Sequence, residues 1–158
     1  MNLYVFSPSP GVMGEGLGGK AANLAVLESL NFPVPPWYAI TTAAFDSALA
    51  AAGLRDPGLS ADEIRSRILA VPFPSGLEEE IAAAHAARIG PDGESAYVAV
   101  RSSAAGEDAA GESFAGLHDS FLFIRGREQL LIAIRKVWAS AWNERALAYR
   151  RAKGIPLD

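Results

Sequence analysis

Prolines and glycines cut this chain into short pieces, and that punctuation limits its fold more than any other feature. Breaks fall at Pro8, Pro10 and Gly11, at Asn31 with Pro33, Pro35 and Pro36, and at Gly53. Others fall at Pro72 and Pro74, at Pro91-Asp-Gly93, at Gly126, and at Gly154 with Pro156. Proline lacks the amide hydrogen that a helix interior needs, and glycine loses the most backbone entropy on ordering. The segments between breaks are therefore short. Leu3–Phe6, Trp37–Thr41, Tyr97–Arg101 and Ser120–Ile124 read as strands, with β-branched and aromatic side chains. Ala21–Leu30 reads as a helix, with Leu24, Leu27 and Leu30 on one side at spacing three. Thr42 is placed to cap a helix through Ala52, Ser60 one to about Ala70, and Ser75 one to about Arg88. Leu130, Ile134, Val137, Trp138 and Ala141 share one face of an amphipathic helix, and a last helix covers about Asn143 to Lys153. The pattern predicts an α+β fold: a small mixed or antiparallel sheet flanked by helices.

Composition narrows the chemistry. Half of the 158 residues are hydrophobic and 20% are charged, enough apolar surface for a core. There is no cysteine, which excludes a disulfide scaffold, a thiolate nucleophile and a cysteine zinc site. Two histidines, His85 and His118, are too few for a histidine metal cluster. The start, Met1-Asn-Leu-Tyr-Val-Phe6, lacks the form of a signal peptide, and no apolar run approaches the roughly 20 residues of a membrane span. The expectation is a soluble cytoplasmic protein that binds neither membrane nor nucleic acid. Charge is uneven. Residues 1–124 carry 6 basic and 15 acidic side chains, and residues 125–158 carry 8 and 3. The basic stretch reads as a solvated helix face, with an anion or RNA surface as the rival.

Three segments could carry chemistry. Gly14-Glu-Gly-Leu-Gly-Gly19-Lys20 fits two glycine motifs at once. As GxGxxG (Gly14, Gly16, Gly19) it lacks the strand before it and the ribose-binding acid after the next strand. As a P-loop it has Ala21 where a magnesium-binding hydroxyl belongs. Glycines would still let backbone N–H groups approach a phosphate, with Lys20 adding charge; a plain entry loop is the alternative. The second segment is Val98-Ala-Val-Arg101-Ser102-Ser103. A guanidinium at the end of an apolar strand can clamp phosphate through paired hydrogen bonds, or neutralise Glu107, Asp108 or Glu112 in a structural ion pair. The third is Phe114-Ala-Gly116-Leu-His118-Asp119-Ser120. Gly116 lets the backbone reach a ligand, and His118 and Ser120 can donate to an oxygen. Nothing supplies a nucleophile for His118 to activate. His85 sits among helical alanines and reads as no site. The set is one of anion-binding parts without a complete catalytic constellation or metal-ligand spacing.

These segments, in this order, resemble the N-terminal part of the PEP/pyruvate-binding, pyruvate phosphate dikinase-type domain. That family includes phosphoenolpyruvate synthase, pyruvate phosphate dikinase, rifampicin phosphotransferase and glucan water dikinase. The matching text is Gly18-Gly-Lys-Ala-Ala-Asn-Leu24, Phe32-Pro-Val-Pro-Pro-Trp-Tyr-Ala-Ile-Thr-Thr42, Val98-Ala-Val-Arg-Ser-Ser-Ala104, Glu107-Asp108 and Ser113-Phe-Ala-Gly116. It continues through Asp119-Ser-Phe-Leu122, Val137-Trp-Ala-Ser140 and Glu144-Arg-Ala-Leu-Ala-Tyr-Arg150. Each motif is weak by itself; the ordered set, from about residue 12 to 154, is specific.

The resemblance implies a partial ATP-grasp-like nucleotide-binding domain across residues 1–158, forming the N-terminal portion of a longer phosphotransferase. In such enzymes ATP phosphorylates a histidine on a separate domain, which passes the phosphoryl group on, most often to pyruvate. By position, Lys20 and Arg101 match the basic residues on the ATP phosphates, the pair expected to act in catalysis. Gly116, His118 and Ser120 fall in the loop over those phosphates. Leu117 stands where glutamine is usual, Ala21 where glycine is common and Ser120 where threonine is common. The adenine pocket, the Mg2+ ligands, the phosphohistidine domain and the PEP/pyruvate domain are expected outside these residues. The resemblance thus implies an ATP-dependent kinase or dikinase as parent, with the isolated piece inactive and prone to self-association. Rivals are a non-catalytic regulatory module of the same fold and a related antibiotic or glucan phosphotransferase.

Overall fold

The computed structural model describes residues 3–8, 16–54, 58–90, 95–103 and 119–154. In chain order the elements are β1 (Val5–Phe6), α1 (Gly19–Ser29), β2 (Ala39–Ile40), α2 (Thr42–Ala51), α3 (Ala61–Ala70) and α4 (Leu77–Ile89). There follow β3 (Val98–Arg101), β4 (Ser120–Ile124), α5 (Arg127–Ala139), a 3₁₀ turn (Ser140–Trp142) and α6 (Glu144–Lys153). The α+β class holds. The expected single sheet is instead two separate antiparallel pairs, β1 with β2 and β3 with β4. Pro35 and Pro36 cannot donate to a ladder, and Thr42 already begins α2, so β2 has no length with which to extend a sheet.

Val5 pairs with Ile40 and Phe6 with Ala39. In the second pair Val98 faces Ile124, Val100 faces Phe121 and Arg101 faces Ser120. The register shifts between Val98 and Val100, because β4 holds one extra residue there. Phe123, at φ 57°, takes up that bulge. It turns outward, 79% exposed, with Leu122 at 58% and Tyr97 at 65% beside it.

Helix starts follow side-chain chemistry where it is local. Ser60 caps α3 as the sequence predicts, and with Glu63 it forms a reciprocal capping box: Glu63 N–H donates to Ser60 Oγ at 3.3 Å and Ser60 N–H to the Glu63 carboxylate at 2.8 Å. The other two helix starts each lie one residue from the expected cap, and neither has a side-chain cap. At α2 the cap residue is Thr41, not Thr42, and its hydroxyl donates to Tyr4 O at 3.2 Å, joining the helix start to β1. At α4 the cap residue is Gly76, not Ser75; it lies at φ 86°, in the left-handed region that suits glycine. Glu78, Glu79 and Glu80 in the first turn then complement the helix dipole.

One core cluster joins Val5, Ala44, Leu77, Ile81, Ala84, Leu130 and Ile134. A second joins Ile68, Ala139, Trp142 and Leu147. Trp138 borders both, with Phe45 at 5.6 Å and Phe73 at 5.5 Å between ring centres. The leucine stripe expected on α1 is not its buried face. Ala21 and Ala25 are buried, while Leu27 and Leu30 are 40% and 60% exposed.

Glu80 holds β1 in place. Its carboxylate accepts the backbone N–H groups of Leu3 (2.9 Å), Tyr4 (2.8 Å) and Val5 (2.9 Å). Burial pushes this carboxyl up, but the three N–H donors outweigh that and leave it below its ordinary value of 4.5. A depressed carboxyl contributes stability above its unfolded value and loses it as pH falls through the folded one. Acidification below about pH 4.5 is thus expected to release β1 before the rest of the fold, and Glu80→Gln should remove that acid-sensitive step. Amide exchange at Tyr4 and Val5 across an acid titration checks this. Unchanged protection in both proteins down to pH 3 would refute it.

Candidate phosphate-contacting site

The site begins at the glycine segment. Gly16 is left-handed at φ 69°, and its carbonyl accepts the N–H of Thr42 at 3.1 Å, tying the entry to α1 onto the start of α2. Gly18 is the N-cap residue of α1 and offers no side-chain cap. A Cβ there would lie 1.6 Å from the Ser103 carbonyl oxygen and 2.2 Å from its carbon. The close approach that a glycine permits is thus made to protein main chain, not to a phosphate. Gly18 is not one of the glycines that define either glycine motif, so this contact leaves those readings where they stood. Gly14 lies outside the described residues.

Ser103 supplies the missing cap. Its Oγ accepts the Ala21 N–H at 3.0 Å, across 82 residues of sequence. This leaves Lys20 in the first turn of α1, partly buried, beside the strand end that carries Arg101. Far along α1, Glu28 fixes the other end. Arg88 Nη2 donates to Glu28 Oε1 at 2.7 Å, and Trp37 Nε1 donates to Glu28 Oε2 at 2.7 Å. Arg88 Nε also reaches Trp37 O at 3.1 Å. The Arg88 hydrogen bond, helped by Trp37, holds the Glu28 carboxyl below its ordinary range against the opposing effect of burial. The helix that bears Lys20 is pinned at both ends.

Arg101 occupies the exposed face of β3 and stands directly opposite Ser120 on β4, also exposed. Opposed residues in an antiparallel pair project to the same face, within about 5.5 Å at Cβ. Among the described residues Arg101 has no hydrogen-bond or ion-pair partner. Two contacts steady the start of β4. Asp119 N–H donates to Ser140 Oγ at 3.2 Å, and Arg145 Nη2 donates to Asp119 Oδ1 at 2.9 Å. The Ser140 hydroxyl in turn donates to Val137 O at 2.6 Å.

Of the expected site residues, Lys20, Arg101 and Ser120 therefore fall on adjoining elements joined through Ser103 and the β3–β4 pair. Gly116 and His118 lie outside the described residues, as do Leu117, Glu107, Asp108 and Glu112. Reading the residues missed Ser103 and Asp119, whose roles are long-range. Their only signal was adjacency to Arg101 and Ser120. His85 belongs to packing: its Nδ1 is 3.2 Å from the Tyr38 hydroxyl, which burial pushes up to about 12.

Six of the eight basic residues of the C-terminal stretch meet partners within the protein. Arg127 pairs with Glu78 at 2.8 Å and Arg145 with Asp119 at 2.9 Å. Arg135 stacks 4.0 Å from the Phe73 ring centre and donates to Val71 O at 3.1 Å. Arg125, Lys136 and Lys153 lie over Tyr97, Phe121 and Tyr149. No helix among the described residues is long and apolar enough to cross a membrane.

The sequence matches the family described as pyruvate phosphate dikinase, AMP/ATP-binding domain, over residues 14–158. Its relatives include a probable phosphoenolpyruvate synthase of Staphylothermus marinus, 38% identical over 89% of this chain and 19% of the relative. The prodigiosin synthesizing transferase PigC of Serratia marcescens is 38% identical over 90% of this chain and 16% of its own. A rifampicin phosphotransferase of a Streptomyces species is 35% identical, over 88% and 18%. The chain spans about a fifth of the length of the relatives it matches. With a family match over nearly all its residues, this chain belongs to the pyruvate phosphate dikinase AMP/ATP-binding domain family.

Proposed function

We propose that this chain is the N-terminal portion of an ATP-grasp-like nucleotide domain and holds the phosphates of ATP in a PEP-utilising phosphotransferase. One observation carries the reading. Arg101 is an exposed guanidinium without a partner among the described residues, and the start of the Lys20-bearing helix is fastened to the segment just after it. Two cations and the Ser120 hydroxyl on adjoining elements form a donor set suited to a triphosphate. Lys20 places a compact charge, whereas Arg101 can engage two phosphate oxygens in one plane. Phosphoryl transfer asks chiefly for such positioning and charge stabilisation. In the parent enzyme the phosphoryl acceptor is a histidine on another domain, and pyruvate is the onward acceptor. Mg2+, when bound, would neutralise phosphate charge. We place its ligands in the remaining part of the domain, outside residues 1–158. The names of the relatives, which include an antibiotic phosphotransferase, support the same ATP half-reaction with a different final acceptor.

The isolated chain is expected to bind ATP weakly, with a Kd on the order of 1 mM, and to turn nothing over. Backbone resonances of Lys20, Arg101 and Ser120 should shift together during an ATP titration. Inorganic tripolyphosphate should produce the same pattern and adenosine should not. Shifts confined to other residues would overturn the assignment. The outward apolar side chains of Tyr97, Leu122 and Phe123 also favour self-association, which sizing across a concentration series would report.

A further inference from the structure

We infer that Ser103 is a positioning residue: by capping α1 from the end of β3, it sets where Lys20 stands relative to Arg101. The inference deepens the reading of Lys20 and Arg101 as one phosphate site, but its structural part does not depend on any ligand.

The argument starts from the needs of a helix start. The first N–H groups of a helix have no partner within it, and a serine, threonine or aspartate at the cap position usually satisfies one. In α1 that position is Gly18, which has no side chain to offer. Nor could a capping side chain be added, because its Cβ would overlap the Ser103 main chain. The first hydrogen bond within the helix runs from Ala22 N–H to Gly18 O at 3.0 Å. The Ala21 N–H, one residue earlier, is met by Ser103 Oγ at 3.0 Å. The local cap is emptied and a distant one takes its place. The two features are complementary: the bare Gly18 admits the Ser103 backbone, and the Ser103 hydroxyl then serves the helix.

The result is a direct coupling between two charged groups. Lys20 precedes Ala21, the donor; Arg101 lies two residues before Ser103, the acceptor. Losing the hydroxyl leaves α1 anchored at Glu28 and Arg88 but free to move at the end that bears Lys20. A purely stabilising serine would lower the melting temperature alone. A positioning serine alters the separation of the two elements and the affinity for a polyanion.

The chain contains no cysteine, so spin labels can be placed at will. Asn23→Cys near the start of α1 and Ala99→Cys on β3 both substitute exposed positions. Electron–electron distance measurement should give one narrow distribution in the otherwise unaltered protein and in Ser103→Thr, and a broadened one in Ser103→Ala. Amide exchange needs no variant: in the unaltered protein Ala21 N–H should exchange at least about 100-fold more slowly than an open amide. A distribution for Ser103→Ala as narrow as the parent's, or an Ala21 amide that exchanges at the open rate, would overturn the inference. If Ser103→Ala does not fold, the exchange result decides. The ligand arm is separate. Ser103→Ala should weaken ATP about tenfold, with Ser103→Thr restoring it. Broadening without any change in ATP affinity would leave the positioning role standing and remove the shared-ligand reading of Lys20 and Arg101.

Discussion

Lys20→Ala and Arg101→Ala, each made in the full-length enzyme, are expected to slow phosphoryl transfer from ATP by about 100- to 1,000-fold, or roughly 3–4 kcal/mol of transition-state stabilisation. The size follows from what each group does when charge spreads over the transferring phosphoryl oxygens. A preorganised cation at that place costs no reorganisation and acts in a site partly shielded from water. Arg101 stands exposed on β3, and substitutions at exposed positions usually alter stability little. Arg101→Lys should recover only part of the rate, because an ammonium cannot offer the paired, coplanar donors of a guanidinium. Single-turnover formation of phosphohistidine with labelled ATP reads the step directly. A loss confined to KM with kcat intact would mean uniform binding without transition-state stabilisation. Undiminished transfer in both alanine variants would remove these residues from the site.

Gly18→Ala is expected to be the most damaging conservative change in the described structure. Alanine fits the backbone well, since Gly18 is at φ −73°. The obstacle is space: the added methyl would sit 1.6 Å from a carbonyl oxygen that belongs to main chain and cannot rotate away. Either α1 or the end of β3 must shift. Overpacking of this kind costs on the order of 3 kcal/mol, equivalent to a melting shift of about 6–12 °C in a domain of this size. The shift should also break the Ala21–Ser103 hydrogen bond and separate Lys20 from Arg101. A calorimetric scan and an ATP titration test both parts. Gly53→Ala is the contrast: that glycine is at φ 66°, and its nearest neighbour would be the Arg67 guanidinium 3.7 Å away. Its cost is one of backbone strain, about 1 kcal/mol, with no effect on ATP. Equal losses at the two positions would refute the steric account.

Local chemistry was legible in the sequence wherever the cause lay within a few residues. The Ser60–Glu63 capping box, the stop at Gly154 and the amphipathic α5 are such cases. The strand ends carrying Arg101 and Ser120 were legible for the same reason, as β-forming residues closed by turn formers. The ordered motifs also determined the family, because each marks a position where a particular side chain is needed. What the sequence could not determine was where distant segments meet. The leucines of α1 form a tidy stripe, yet Ala21 and Ala25 are its buried residues, because which face meets the rest of the protein is decided by the tertiary fold. Thr41 rather than Thr42 takes the N-cap position of α2, and its hydroxyl donates to Tyr4 O instead of capping the helix. Gly18, one glycine in a run of several, acquires its role only when Ser103 arrives beside it from 85 positions away. Helix periodicity and capping are set by nearest neighbours along the chain; the approach of the start of α1 to the end of β3 depends on excluded volume and one hydrogen bond between segments whose spacing no local pattern encodes.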